Sequence, residues 1–163
     1  MSTRIDDTFA RLQEEGKKAF IAYVSAGDPD MDRSLEIIQA LADAGADILE
    51  LGVPFSDPLA DGIVNQMAAA RALAAGCDTA KIFDLIRRFR ETHQTPIVLF
   101  TYLNPAYAYG YEEYHRDAAQ DPGVVAYPPD LLHRSGDRTH PWSEAERLAA
   151  VAGVLPRCQE HRH

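Results

Sequence analysis

Three short, almost continuously apolar runs, each followed by residues of a different period, constrain the fold more than any other feature of the sequence. They are residues 19–24 (AFIAYV), 48–53 (ILELGV) and 96–102 (PIVLFTY). Each is rich in β-formers, and the proline of the third stands at its first position, where a strand tolerates it. A strand apolar on both faces must be covered on both, which is the condition of a parallel sheet wrapped by helices.

The residues between the runs are helical in period. Leu35, Ile38, Leu41 and Ala42 mark one face of a helix that starts near Asp32, and Gly45 stands where a C-cap belongs. After a loop, residues 65–75 form an alanine-rich helix ending at Gly76. Thr79 is then positioned to cap another, with Ile82, Leu85, Ile86 and Phe89 on its inner side. Ile5, Phe9 and Leu12 place a short amphipathic helix ahead of the first strand, closing near Gly16. Two strand-helix-strand units in succession predict an α/β fold with a parallel sheet.

From about residue 120 the character changes. Five of the ten prolines and four of the six histidines follow Gln120. Residues 123–127 (GVVAY) are offered as a fourth strand, cut off at once by Pro128 and Pro129. Beyond them only residues 143–155 carry helical periodicity, opened by a capping box of Ser143 with Glu146. The expected division is therefore residues 1–122 as the N-terminal part of the domain and 123–163 as a divergent, poorly ordered tail. A reading-frame change or a truncated gene is the hypothesis for that tail.

A formal charge of -9 repels phosphate backbones and argues against a nucleic-acid partner, though not against a small phosphorylated substrate. No apolar run approaches the ~18 residues of a membrane span, and the N-terminus lacks a signal-peptide core, so the expectation is a cytoplasmic protein without a membrane partner. Cys77 and Cys158 read as structural, and neither they nor the histidines show metal-ligand spacing. No metal site is expected.

Glu50 is the residue that a purely structural reading handles worst. On a period of two it shares a face with Ile48 and Gly52, while Leu49, Leu51 and Val53 point the other way. Either orientation sets a carboxylate against a buried surface, where it is costly unless protonated or paired. Two readings stand: a structural ion pair with a lysine or arginine, or an acid-base group of raised pKa. The loop that follows, residues 53–62 (VPFSDPLADG), lies at the C-terminal end of a parallel strand, where α/β folds build their active sites. Asp57 and Asp61 also suit ordinary turn chemistry, and for Asp61 alone the turn is the better reading.

The string from Glu50 to Gly62 (ELGVPFSDPLADG) resembles, over its whole length, the signature of tryptophan synthase alpha chains. Gly27-Asp28-Pro29, residues 43–47 (DAGAD) and Tyr102-Leu103-Asn104-Pro105 ahead of Gly110 fall where that family has similar residues, in the same order. The resemblance covers about residues 5–120. It implies a partial TIM (β/α)8 barrel, its first three strand-helix units, since a whole barrel takes about 250 residues.

The resemblance also implies a function: retro-aldol cleavage of indole-3-glycerol phosphate to indole and glyceraldehyde 3-phosphate in tryptophan biosynthesis. Glu50 and Asp61 would be the catalytic pair, and Tyr23 and Phe100 would line the substrate pocket. Pro54, Phe55, Ser56, Asp57, Pro58 and Asn104 would face the beta chain of an alpha2beta2 assembly. The step calls for no metal or organic cofactor. Barrels of this kind commonly hold phosphate at the loops after strands 7 and 8, so a site for the substrate phosphate is not expected here. The alternative is a truncated, non-catalytic remnant that at most binds a beta chain.

Overall fold

The computed structural model describes residues 3–121 and 123–127. Helix α1 spans Arg4–Glu14 and opens on a reciprocal cap: Thr3 Oγ1 accepts from the Asp6 N–H at 3.2 Å, and the Asp6 carboxylate accepts from the Thr3 N–H at 2.9 Å. Strands β1 (Ile21–Ser25) and β2 (Ile48–Gly52) are joined by helix α2 (Met31–Asp43). Helices α3 (Ile63–Ala74) and α4 (Thr79–Arg90) lead to β3 (Ile97–Phe100). Helices α5 (Leu103–Tyr109) and α6 (Tyr111–Ala119) precede β4 (Val124–Tyr127).

The four strands form one parallel sheet in the order β1-β2-β3-β4, which is the order in sequence. The three strands and the α/β class expected from the apolar runs are present, and the stretch offered as a fourth strand is one. It extends the same sheet, so the described part of the expected tail belongs to the fold. The helix expected over residues 143–155, its capping box, Cys158 and the late histidines lie outside the described residues.

Register sorts the side chains into two layers. Ala22, Leu49, Leu51, Ile97 and Leu99 join the larger core, together with Ile38 of α2, Ile82, Leu85, Ile86 and Phe89 of α4, and Tyr114 of α6. The opposite face carries a smaller cluster at its N-terminal end, where Ile5 and Phe9 of α1 cover Ile21, Ile48 and Val98. Helix α1 thus floors the N-terminal end of the inner face and leaves its C-terminal end uncovered by that cluster.

Two features differ from the sequence expectation. The cap of α4 is Asp78, whose carboxylate accepts the Lys81 N–H at 2.8 Å, and Thr79 is the first helical residue. The backbone of Asp78 is extended and turns its charged carboxylate to the open N–H groups, so it takes the role from its neighbour. Helices α5 and α6 were not legible, because Asn104-Pro105 reads as a turn. Pro105 is accommodated in the first turn of α5, where its missing N–H has no intrahelical partner to lose.

One side chain fastens the beginnings of β3 and β4. Arg90, at the end of α4, donates to the carbonyls of Thr95 (2.6 Å) and Gly123 (3.3 Å), and it ion-pairs with Asp121, which also receives Arg4 at 3.2 Å. The same Gly123 carbonyl accepts the Ile97 N–H at 2.8 Å.

Candidate active site

The parallel register sets Tyr23 beside Glu50 and Glu50 beside Val98 on the inner face, at the edge of the apolar floor to which Val98 belongs. Glu50 is half-buried. Among the described residues no hydrogen-bond donor or cation meets its carboxylate, and burial pushes its pKa up from the ordinary glutamate range. Among the described residues the structural ion pair is therefore not formed.

Two residues further along the strands, Gly52 lies level with Ser25 and Phe100. Its lack of a side chain is used by Tyr23: a Cβ at Gly52 would stand 2.2 Å from the Tyr23 hydroxyl oxygen. The tyrosine accordingly lies across the end of β2, with its ring edge-on to Phe100 at 6.4 Å between centroids. Burial raises the Tyr23 pKa, and the charges of Asp61 and Glu50 raise it further. Its phenol thus senses both carboxylates.

Asp61 comes to this place from the β2–α3 loop. Tyr102, just beyond β3, donates its hydroxyl to Asp61 Oδ2 at 3.1 Å and accepts the Ala60 N–H at 3.0 Å. Its ring packs on Phe55 at 5.3 Å between centroids. Gln66 of α3 donates to the Asp61 carbonyl at 2.9 Å, closing the loop onto the helix that follows. The turn chemistry expected of Asp61 is present as well, since its N–H meets the Pro58 carbonyl at 3.0 Å. Its backbone makes the turn and its carboxylate is left for the site.

Glu50, Asp61, Tyr23 and Phe100 thus gather at the C-terminal end of the inner face. Of the residues expected to face a partner, Pro54, Phe55, Ser56 and Asn104 line one groove of about 460 Å³. Asp57 and Pro58 stand outside it, and Ser56 Oγ donates to the Asp57 carboxylate at 2.7 Å. Pro54 itself is buried. Sequence reasoning missed Tyr102 and the role of Gly52. The signal for Tyr102 was its place just past a strand that points into the same mouth. Among the described residues no cluster of His, Cys, Asp or Glu has the placement to hold a metal ion, and no helix is long and apolar enough to cross a membrane.

Comparison with known proteins agrees with this architecture. A sequence profile described as tryptophan synthase alpha chain matches residues 9–162, a match that runs on past Gly123. Among curated relatives, the tryptophan synthase alpha chain of Citrifermentans bemidjiense is 51% identical over 92% of this chain and 62% of its own length. That of Opitutus terrae is 45% identical over 92% of this chain and 62% of its own. The chain therefore spans about three fifths of the length of these relatives. Among solved structures, tryptophan synthase subunit alpha from Legionella pneumophila superposes with a TM-score of 0.78 at 38% identity, over 84% of this chain and 53% of that one. A tryptophan synthase complex from Pyrococcus furiosus gives a TM-score of 0.65 at 40% identity, over 72% of this chain and 49% of that one.

Proposed function

Since the chain belongs to the tryptophan synthase alpha chain family, with the partial TIM-barrel fold of that family, we propose that it carries the acid-base half of a carbon-carbon lyase acting on indole-3-glycerol phosphate. The observation that carries the proposal is Glu50: a half-buried carboxyl of raised pKa, without a partner among the described residues, on a parallel strand and acting with Asp61 on the Tyr23 phenol.

In this reading Glu50 hands a proton to indole C3, which makes the ring an electron sink. Loss of the proton from the glycerol hydroxyl next to the ring turns that carbon into a carbonyl, and the electrons of the breaking carbon-carbon bond return to the ring. Indole and glyceraldehyde 3-phosphate leave. A carboxyl whose pKa is raised by burial suits both proton transfers, a role worth about 10²- to 10⁴-fold in rate. Asp61 accepts the indole N–H and stabilises the positive charge that develops there. Tyr23 and Phe100 supply the ring walls. No step draws on a cofactor.

The same proposal makes the groove of Pro54, Phe55, Ser56 and Asn104, with the neighbouring Asp57 and Pro58, the surface that meets a beta chain. Leu59, Ile63, Val64 and Met67, large apolar side chains exposed on the adjoining loop and the start of α3, extend it. A second reading, a non-catalytic chain that at most binds a beta chain, is favoured by those exposed apolar side chains.

The deciding assay is indole release from indole-3-glycerol phosphate, with and without an added beta chain. The lyase reading expects release that falls by about 10²-fold or more in Glu50→Gln. Capture of a beta chain without release above the Glu50→Gln background selects the second reading.

A further inference from the structure

We propose that Tyr102 is a positioning residue for Asp61: it fixes which carboxylate oxygen faces the site and holds the β2–α3 loop in register with β3. The reaction it would serve is the lyase reading above. The contact itself stands on geometry alone.

A phenol hydroxyl has one proton to give. Here the Ala60 N–H occupies its acceptor side at 3.0 Å, and its own proton is turned to Asp61 Oδ2 at 3.1 Å. The two bonds reinforce each other, because a hydroxyl that accepts becomes a better donor. Among the described residues nothing else meets the Asp61 side chain, so Oδ1 is the oxygen left for a ligand N–H. The ring is held in turn by Phe55, and the tyrosine sits at the N-terminal edge of α5, anchored by β3. Tyr102 therefore ties together two segments that are 41 residues apart in sequence. Without it the loop hangs on its own backbone turns and on Gln66.

The test uses the full chain and two readouts. In Tyr102→Phe, which keeps the ring and removes the hydroxyl, amide exchange at Ala60 is expected to accelerate about 3- to 10-fold, as loss of one ordinary hydrogen bond implies. The ¹³C resonance of the Asp61 carboxyl is expected to move, and the amides of Leu49 and Leu51 to keep their protection. Unchanged exchange at Ala60 with an unmoved Asp61 resonance overturns the proposal.

The second readout is indole release. Tyr102→Phe is expected to lower kcat about 3- to 10-fold with little change in KM, and to have no effect in an Asp61→Ala background. An equal loss in that background means that Tyr102 acts otherwise than through Asp61. If the unmodified chain releases no indole above the Glu50→Gln control, the lyase reading fails, and the exchange and resonance data still decide whether Tyr102 positions Asp61.

Discussion

Burial of Glu50 on the inner face of β2 favours its protonated form, so the folded chain holds a proton there more tightly than the unfolded chain does. The sign of the stability effect follows. A raised folded-state pKa adds stability below the unfolded value, about 4.3 for glutamate, and that stability is lost as pH climbs through the folded value. Glu50→Gln, neutral at every pH, is therefore expected to melt higher than the parent chain at pH 7 and to lose this advantage near pH 4. Thermal melts at the two pH values check it, and an advantage of equal size at both would sink burial as the cause. The face on which Glu50 lies was legible because strand alternation is strict. That Gly52 makes room for the Tyr23 hydroxyl was not, since the contact depends on the offset between β1 and β2. The corresponding expectation is that Gly52→Ala destabilises by about 1–3 kcal/mol, as overpacking does, and costs less when Tyr23 is alanine. A double-mutant cycle read by denaturant melts settles it.

Among the elements, α4 gives the sharpest contrast between pattern and geometry. Asp78 and Thr79 are both good capping types, and only the backbone decides between them: Asp78 is extended and aims its carboxylate at the Lys81 N–H, whereas Thr79 is already helical. Asp78→Ala is expected to cost about 0.5–2 kcal/mol and Thr79→Ala well under half of that, measured by chemical denaturation. Strands, α2, α3 and α4 were legible because their apolar residues repeat at a single period over many residues. Helices α5 and α6 are short, rich in tyrosine, and separated only by Gly110 with its φ of 104°, so each offers barely two turns from which to read a period. The candidate site was legible to the extent that it rests on strand ends, and illegible where a side chain such as Tyr102 arrives from another loop.

On the scale of the whole molecule, the sheet divides the chain into a broad outer core and a narrow inner one, and the inner one depends on α1. Ile5 is fully buried against Ile48 and Val98, with Phe9 and Ile21 beside them. Ile5→Ala is expected to destabilise by about 2–5 kcal/mol, as truncation of a buried isoleucine does, and to loosen the floor under Glu50. Urea titration gives the first effect. A drop in the protection of the Glu50 amide without global unfolding gives the second.

The Arg90 fastening has a consequence for errors of assembly. A strand that slides by two residues along its neighbour keeps every side chain on its proper face, so alternation cannot detect such a slip. The fourth strand is only four residues long. What marks the correct alignment is the carbonyl of Gly123, claimed at once by a guanidinium from α4 and by the first amide of β3. The starting line of the fourth strand is thus drawn by a helix that was complete thirty-odd residues earlier. Without that arginine the Gly123 carbonyl would keep only the Ile97 amide to mark where the last strand begins.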